Sequence, residues 1–176
     1  TVLGLQPSSS SDATCYVIYK KAGFSNIAID TVCGNVATLY SVLASLPYSG
    51  SEAYGIASID SCGNISPITR NQNTLFLIHN YRLCEKEVLL GWNPYLNMQN
   101  GLKEYKVYMS INGSAFSIVG DTSGLAFLKT GLIQNKTYRF FIRAFDSTGT
   151  ITSTSNIITF FTKTQPQPTY VYVKSV

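Results

Sequence analysis

Charge is what this chain has least of. Only 12% of its 176 residues are charged, about half the usual ~25%. Apolar residues make up 45%, and a disordered chain needs the opposite balance of high charge and low hydrophobicity. The scarcity of Glu, Lys and Ala argues against coiled coils and long helices. No apolar run approaches the ~20 residues that carry a helix across a bilayer. There is one histidine, His79, and the four cysteines show no Cys-x-x-Cys spacing, so zinc and thioredoxin-like chemistry have no motif. Phosphate-binding glycine loops, EF-hand loops and nucleophile elbows are missing as well. No secretion signal opens the chain, and Thr1 is not a natural start, so a mature or trimmed fragment is expected. The net charge of +4 comes from 13 basic and 9 acidic residues. The basic ones are scattered, with pairs such as Lys20-Lys21 and Lys103/Lys106 as the closest groupings. A nucleic-acid stripe needs clustering on one face, so no nucleic-acid partner and no membrane insertion are expected.

What fills the gap is polar and uncharged: 17 Thr, 20 Ser and 12 Asn. The secondary-structure signal is β throughout. Tyr16-Val17-Ile18-Tyr19, Lys106-Val107-Tyr108, Tyr138 to Ala144 and Asn156 to Thr162 are rich in aromatic and β-branched residues. Turn signals such as Ala22-Gly23, Cys33-Gly34-Asn35, Asn112-Gly113 and Ser147-Thr148-Gly149 separate them at short intervals. Val36 to Leu46 fits a helix and a strand followed by a loop about equally. Many short strands with closely spaced turns point to a sandwich or barrel.

The chain also repeats itself. Val2-Leu3-Gly4-Leu5-Gln6-Pro7 matches Leu89-Leu90-Gly91-Trp92-Asn93-Pro94, Tyr16-Val17-Ile18-Tyr19 matches Tyr105-Lys106-Val107-Tyr108, and Asp60-Ser61-Cys62-Gly63 matches Asp146-Ser147-Thr148-Gly149. The offsets stay nearly constant, which two copies of one unit of about 85 to 90 residues explain most simply.

The second copy resembles a fibronectin type III domain. Its B strand would be Val88 to Trp92 with the family's core tryptophan, its C strand Glu104 to Met109, C′ Phe116 to Val119 and E Leu125 to Lys129. Leu132 and Tyr138 have the spacing of a tyrosine corner before strand F, a side chain that bonds back to nearby backbone in the related immunoglobulin-like sandwich. Ser155-Asn156 would open strand G. The first copy resembles the same family with departures: Leu5 stands where the tryptophan belongs and Glu52 where the corner tyrosine belongs. Thr1 aligns with Val88 at the start of strand B, so the first copy lacks strand A. The resemblance implies an all-β chain of two tandem fibronectin type III-like sandwiches plus a trailing strand. The expected division is 1–76, 77–163, and 164–176 as a Pro-rich linker with the first strand of a following repeat at Tyr170-Val171-Tyr172-Val173. Structural core positions are Trp92, Tyr138, Leu132 and Leu5. Asp60-Ser61-Cys62-Gly63-Asn64-Ile65-Ser66, then Cys84, then Trp92-Asn93-Pro94-Tyr95 is also similar to tandem repeats of large Bacteroidetes surface proteins, many of which end in a gliding-motility-associated or sorting domain.

In the sandwich implied by the resemblance, Cys15 opens strand C and Cys62 follows its neighbour F, so a Cys15–Cys62 disulfide is expected, with Cys33–Cys62 as the alternative and four idle thiols as the plain reading. Cys84 would lie at the far end of the second copy. His79 falls at the junction of the two copies without catalytic or ligand partners. Asp60 and Asp146 hold equivalent positions after strand F, as a repeated loop-bonding role requires. Sequons occur at Asn64, Asn112 and Asn135, which matter only in a eukaryotic secretory route, and Asp30-Thr31-Val32 and Asp146-Ser147-Thr148 resemble the Bacteroidetes O-glycosylation pattern. Of the 22 aromatic residues (12 Tyr, 9 Phe, 1 Trp), most should be core or cross-strand pairs. Phe24, Tyr48 and Tyr95 fall in predicted loops and are the candidates for ligand contact.

These observations lead to a non-catalytic spacer and adhesion module, with no cofactor, on a secreted or cell-surface protein, meeting protein or polysaccharide partners. The alternatives are a carbohydrate-binding accessory module of a polysaccharide-degrading system, which an exposed aromatic row would favour, and a receptor-like module, which an apolar patch near His79 and Tyr81 would favour. An open edge in the first copy could also pair with Tyr170–Val176 of a neighbouring molecule, giving head-to-tail self-association.

Overall fold

The structure, a computed structural model, describes residues 1–6, 8–34 and 39–164. The segment Tyr170–Val176, on which the trailing strand and the self-association rest, lies outside the described residues, as does the start of the Val36–Leu46 stretch. The remainder of that stretch is a short strand, Leu39–Ser41, followed by turns, and no helix occurs among the described residues.

Six strands form the first sandwich: β1 (Val2–Gly4), β2 (Ala13–Ala22), β3 (Ser25–Cys33), β4 (Leu39–Ser41), β5 (Ala53–Asp60) and β6 (Gln72–Asn73). One sheet is the pair β1-β4; the other has the order β3-β2-β5-β6. The second sandwich uses β7 (Leu77–Arg82), β8 (Glu87–Trp92), β9 (Leu102–Ile111), β10 (Ser117–Thr122), β11 (Ala126–Lys129), β12 (Thr137–Asp146), β13 (Thr152–Thr154) and β14 (Ile158–Phe161). Its sheets are β11-β8-β7 and β10-β9-β12-β13, with β14 continuing along β12. All pairings are antiparallel. Read as A to G, the second sandwich has A-B-E against C′-C-F-G, the fibronectin type III arrangement. The first repeats it with β1 in the place of B, and among the described residues no strand is paired to its outer side.

Alternation of side chains explains the longest strand. Along β12, Tyr138, Phe140, Ile142 and Ala144 point into the core, while Arg139, Arg143 and Phe145 on the other face are only half buried. The core they build is a cluster of 14 buried residues, among them Trp92, Leu132, Tyr138 and Ile158. Leu5 is buried too, at 8% exposure beside 7% for Trp92, so leucine occupies the equivalent site in a smaller core of Tyr16, Ile18, Val42, Tyr54 and Ala57.

Strand G is interrupted in both sandwiches for one reason. The Ser155 hydroxyl accepts the Ile142 amide at 3.0 Å while Ser155 N donates to Ile142 O. Thr69 does the same to Ile56, and Ser66 to Ser58. Side-chain oxygens thus replace the carbonyls of a regular ladder, and the backbone no longer runs as a continuous strand.

Candidate functional site

The expected Cys15–Cys62 disulfide is corrected by the structure, and so is the Cys33–Cys62 alternative. Cys15 is bonded to Cys33. β3 runs on through Cys33, which stands directly opposite Cys15 in the β2–β3 register. Gly34 N bonds to Thr14 O at 2.9 Å, so Cys15 and Cys33 form the adjacent non-hydrogen-bonded pair, the kind in which facing side chains are closest. Their Cα atoms are 4.0 Å apart. Cys62 lies past the end of β5 in a turn, and both it and Cys84 are free and exposed.

That turn is one of two copies. Gly63 N donates to Asp60 O and Gly149 N to Asp146 O, each at 3.1 Å. The Asp60 carboxylate accepts from Cys62 N, Asn64 N and Asn64 Nδ2. Asp146, fully buried, accepts from Asn100 Nδ2, Thr148 Oγ1 and Ile151 N. Burial by itself would raise the Asp146 carboxyl, but these bonds hold it well below the usual carboxylate range. Both aspartates organise loops.

The corner before β5 and β12 differs between the copies. In the second, the Tyr138 hydroxyl accepts the Ile133 amide at 2.8 Å. In the first, Glu52 reaches back to the Leu46 amide at 3.2 Å and also accepts from Lys20 Nζ (2.6 Å), Ser45 Oγ (2.6 Å) and the Tyr54 hydroxyl (2.7 Å). Ser45 is in turn bonded to Thr1 Oγ1. Burial tends to raise Glu52, which is only 11% exposed, but Lys20, Ser45, Tyr54 and the Leu46 amide outweigh it and hold the carboxyl at about 2. Burial and the bond to Glu52 push Tyr54 up to about 12.

The three candidate contact residues do not form one platform. Phe24, at the tip of the β2–β3 hairpin, is wholly exposed, and Tyr48 is 75% exposed. They share a pole, because β5 begins alongside the end of β2 (Lys20 opposite Tyr54). Tyr95 is not exposed as expected: it packs on the core of the second sandwich, its hydroxyl bonds to Gln72 at 3.1 Å, and burial pushes that hydroxyl up. Tyr48 and Tyr95 line one cleft of about 1310 Å³ between the sandwiches, together with Leu3, Tyr54 and Asn156. Beside it a seam of amides crosses the junction: Asn73 to Pro94 O and Leu96 N, Asn97 to Asn71 O, and Asn93 to Ser51. His79 belongs to β7 and stacks on Phe160 at 5.1 Å, as Tyr81 does at 5.2 Å. Desolvation lowers the imidazole below its ordinary value. Among the described residues no three metal-ligating side chains come together.

Sequence reasoning passed over two features. One is the Glu52 hub, visible only as a carboxylate at a tyrosine position. The other is the outer row of β12, whose signal is the alternation Arg139, Phe141, Arg143, Phe145.

No protein-family model matches the chain, and no curated protein matches it. Among solved structures, the sixth fibronectin type III domain of human fibronectin type III domain containing protein 3 is similar at TM-score 0.46 and 18% identity, covering 55% of this chain and 89% of that one. The FN1–FN3 domains of chicken CNTN1 are similar at TM-score 0.44 and 16% identity, covering 93% and 61%. The pectate lyase PelI of Erwinia chrysanthemi, solved with tetragalacturonic acid, is similar at TM-score 0.42 and 13% identity, covering 49% of this chain and only 28% of the lyase. All three fall below a TM-score of 0.5 and below 25% identity. The all-β, tandem fibronectin type III-like fold therefore rests on the strand order and pairing of the chain itself.

Proposed function

We propose that the chain is a non-catalytic structural and adhesion segment of a secreted or cell-surface protein, built from two domains at 1–76 and 77–163. The observation that carries this reading is the hydrogen-bonded seam at the junction. Side-chain amides of Asn73 and Asn97 hold backbone groups of Pro94, Leu96 and Asn71 across it, as a spacer of set length requires. The Cys15–Cys33 bridge fits an oxidising compartment, and the looser resemblance to Bacteroidetes surface repeats fits the same setting. Small-angle scattering tests the spacer. A single inter-sandwich distance is expected for the native chain and a broadened one for Asn73→Ala with Asn93→Ala; a broad distribution in the native chain would count against it. The outer side of β1 supports pairing with Tyr170–Val176 of another copy, and sedimentation with those residues deleted should abolish any concentration-dependent growth.

A second reading, a carbohydrate-binding accessory module, is favoured by the exposure of Phe24 and Tyr48 at one pole. Loss of polysaccharide retardation in gels on Phe24→Ala or Tyr48→Ala is the expected outcome; unchanged retardation removes that pole from the reading.

A further inference from the structure

We propose that the outer face of the β10-β9-β12-β13 sheet binds an acidic polysaccharide through its uronate carboxylates, with Arg139 and Arg143 as the anion-holding pair. The proposal rests on the accessory-module reading and names its ligand class and a different face.

The charge of the chain is unevenly placed. Residues 77–163 hold nine basic and five acidic side chains; residues 1–76 hold three and four. On the outer face of β12, Phe141 stacks on Tyr108 of β9 at 4.5 Å and meets Phe116 edge-on at 4.8 Å. The Arg143 guanidinium lies over both Tyr108 (5.5 Å) and Phe141 (5.7 Å), and Arg139 lies over Phe116 (5.3 Å). Both side chains are half buried. The aromatic rings cover one plane of each guanidinium and fix its orientation, so that the N–H edges are presented without the usual entropy loss. Arg143 Nε spends one donor on Thr154 Oγ1 at 3.1 Å. Neither arginine has an ion-pair partner among the described residues. Lys106 differs: it pairs with Glu104 at 3.5 Å and stands opposite Asp121 in the β9–β10 register, so the acidic side chains of this face are gathered at Lys106.

An ordinary stabilising role explains the stacking but not two half-buried cations left without counter-ions among the described residues. Their chemistry asks for bidentate oxyanions. Four residues apart on one strand, they stand about 13 Å apart, a span suited to a stiff polymer carrying an anion on every repeat. The neighbouring residues identify the polymer. Thr154, Thr152 and Thr159, all exposed, lie opposite Arg143, Phe145 and Arg139 on β13 and β14. They form a row of hydroxyls beside the cations, matched to sugar hydroxyls between uronate carboxylates.

Affinity electrophoresis with alginate at low ionic strength tests this. The native chain should be retarded by alginate and not by alginate whose carboxyls are esterified. Arg139→Gln and Arg143→Gln should each weaken retardation about tenfold, while Lys129→Gln, on the other sheet, should not. Arg143→Lys keeps the charge but lacks the fork and should fall between. Should the glutamine variants fold poorly, amide shifts of the native chain on titration with alginate oligomers decide the matter: they should map to β12 and β13. Equal retardation by the esterified polymer, retention by dextran sulfate alone, or shifts elsewhere would overturn the proposal. Retardation by neutral xylan with none by alginate would keep the accessory-module reading and sink this face. A fall in alginate viscosity on incubation would instead count against the non-catalytic reading, and leaves the face to be judged by the shift map.

Discussion

The two sandwiches share a plan and hold it by different means. The second packs it shut: Trp92, Tyr105, Tyr138 and Phe140 fill a core of 14 buried residues, β7 covers β8, and the corner is a tyrosine hydroxyl bonded to a backbone amide. The first has leucine for tryptophan, no strand among the described residues paired to the outer side of β1, a hairpin strand β3 exposed along almost its whole length, and a half-buried carboxylate at the corner. In place of packing it has a cross-strand disulfide and a charged hub. The same strand order can thus be secured by apolar volume or by a cross-link and electrostatics, and the two are sensitive to different conditions.

The largest effect should come from the core. Trp92→Ala removes a side chain that meets Tyr105 edge-on at 5.5 Å, and should cost about 3–5 kcal/mol in the second sandwich. Leu5→Ala should cost about 2–3 kcal/mol in the first. Two resolved transitions in denaturant, each moved by one substitution alone, are expected; one shared transition moved by both would show that the sandwiches unfold together. Next comes the bridge. Replacing Cys15 and Cys33 by serine frees a loop of 18 residues' separation and should lower the first transition by about 3 kcal/mol, leaving the second in place. Reductant should reproduce the shift in the native chain.

How much of this was legible in the sequence follows from which forces write themselves locally. The repeat and the β pattern were readable because strand alternation and turn chemistry are local, whereas the core places of Trp92, Leu132 and Tyr138 came from the resemblance to fibronectin type III domains. The disulfide was misread because pairing depends on strand ends: one residue more in β3 puts Cys33 opposite Cys15, and Cys62 is left in the turn that Asp60 organises. Tyr95 was misread because its loop folds back on the core of its own sandwich, while only its hydroxyl reaches across to Gln72. Glu52 looked like a gap in a pattern, because its partners Lys20, Ser45 and Tyr54 come from three separate segments.

The hub gives the comparison a pH dependence. The Glu52 carboxyl lies near 2 in the folded chain, against 4.5 for the free group. A depressed carboxyl stabilises the fold above the unfolded value, and the contribution disappears as pH falls from about 4.5 toward 2. Since Lys20 is 33% exposed, the Coulombic part is discounted, leaving about 2 kcal/mol. Acid should therefore lower the first transition through this window, and Glu52→Gln should flatten that dependence. The second sandwich has its own acid-sensitive group in Asp146, so its response should be untouched by Glu52→Gln. A first transition equally steep with pH in the variant would show that the hub is not its source.

The smallest effect isolates the other corner. Tyr138→Phe keeps the ring among Phe140 and Phe160 and removes only the oxygen that accepts the Ile133 amide. The loss should be about 1 kcal/mol, confined to the second transition and the same at pH 3 and pH 7, because the partner of that oxygen is a backbone amide and not a carboxylate. The flat profile is what separates the corners. A Tyr138→Phe cost that grew toward acid would mean that Tyr138 acts through a carboxylate, and the division between a packed corner and a charged one would fail.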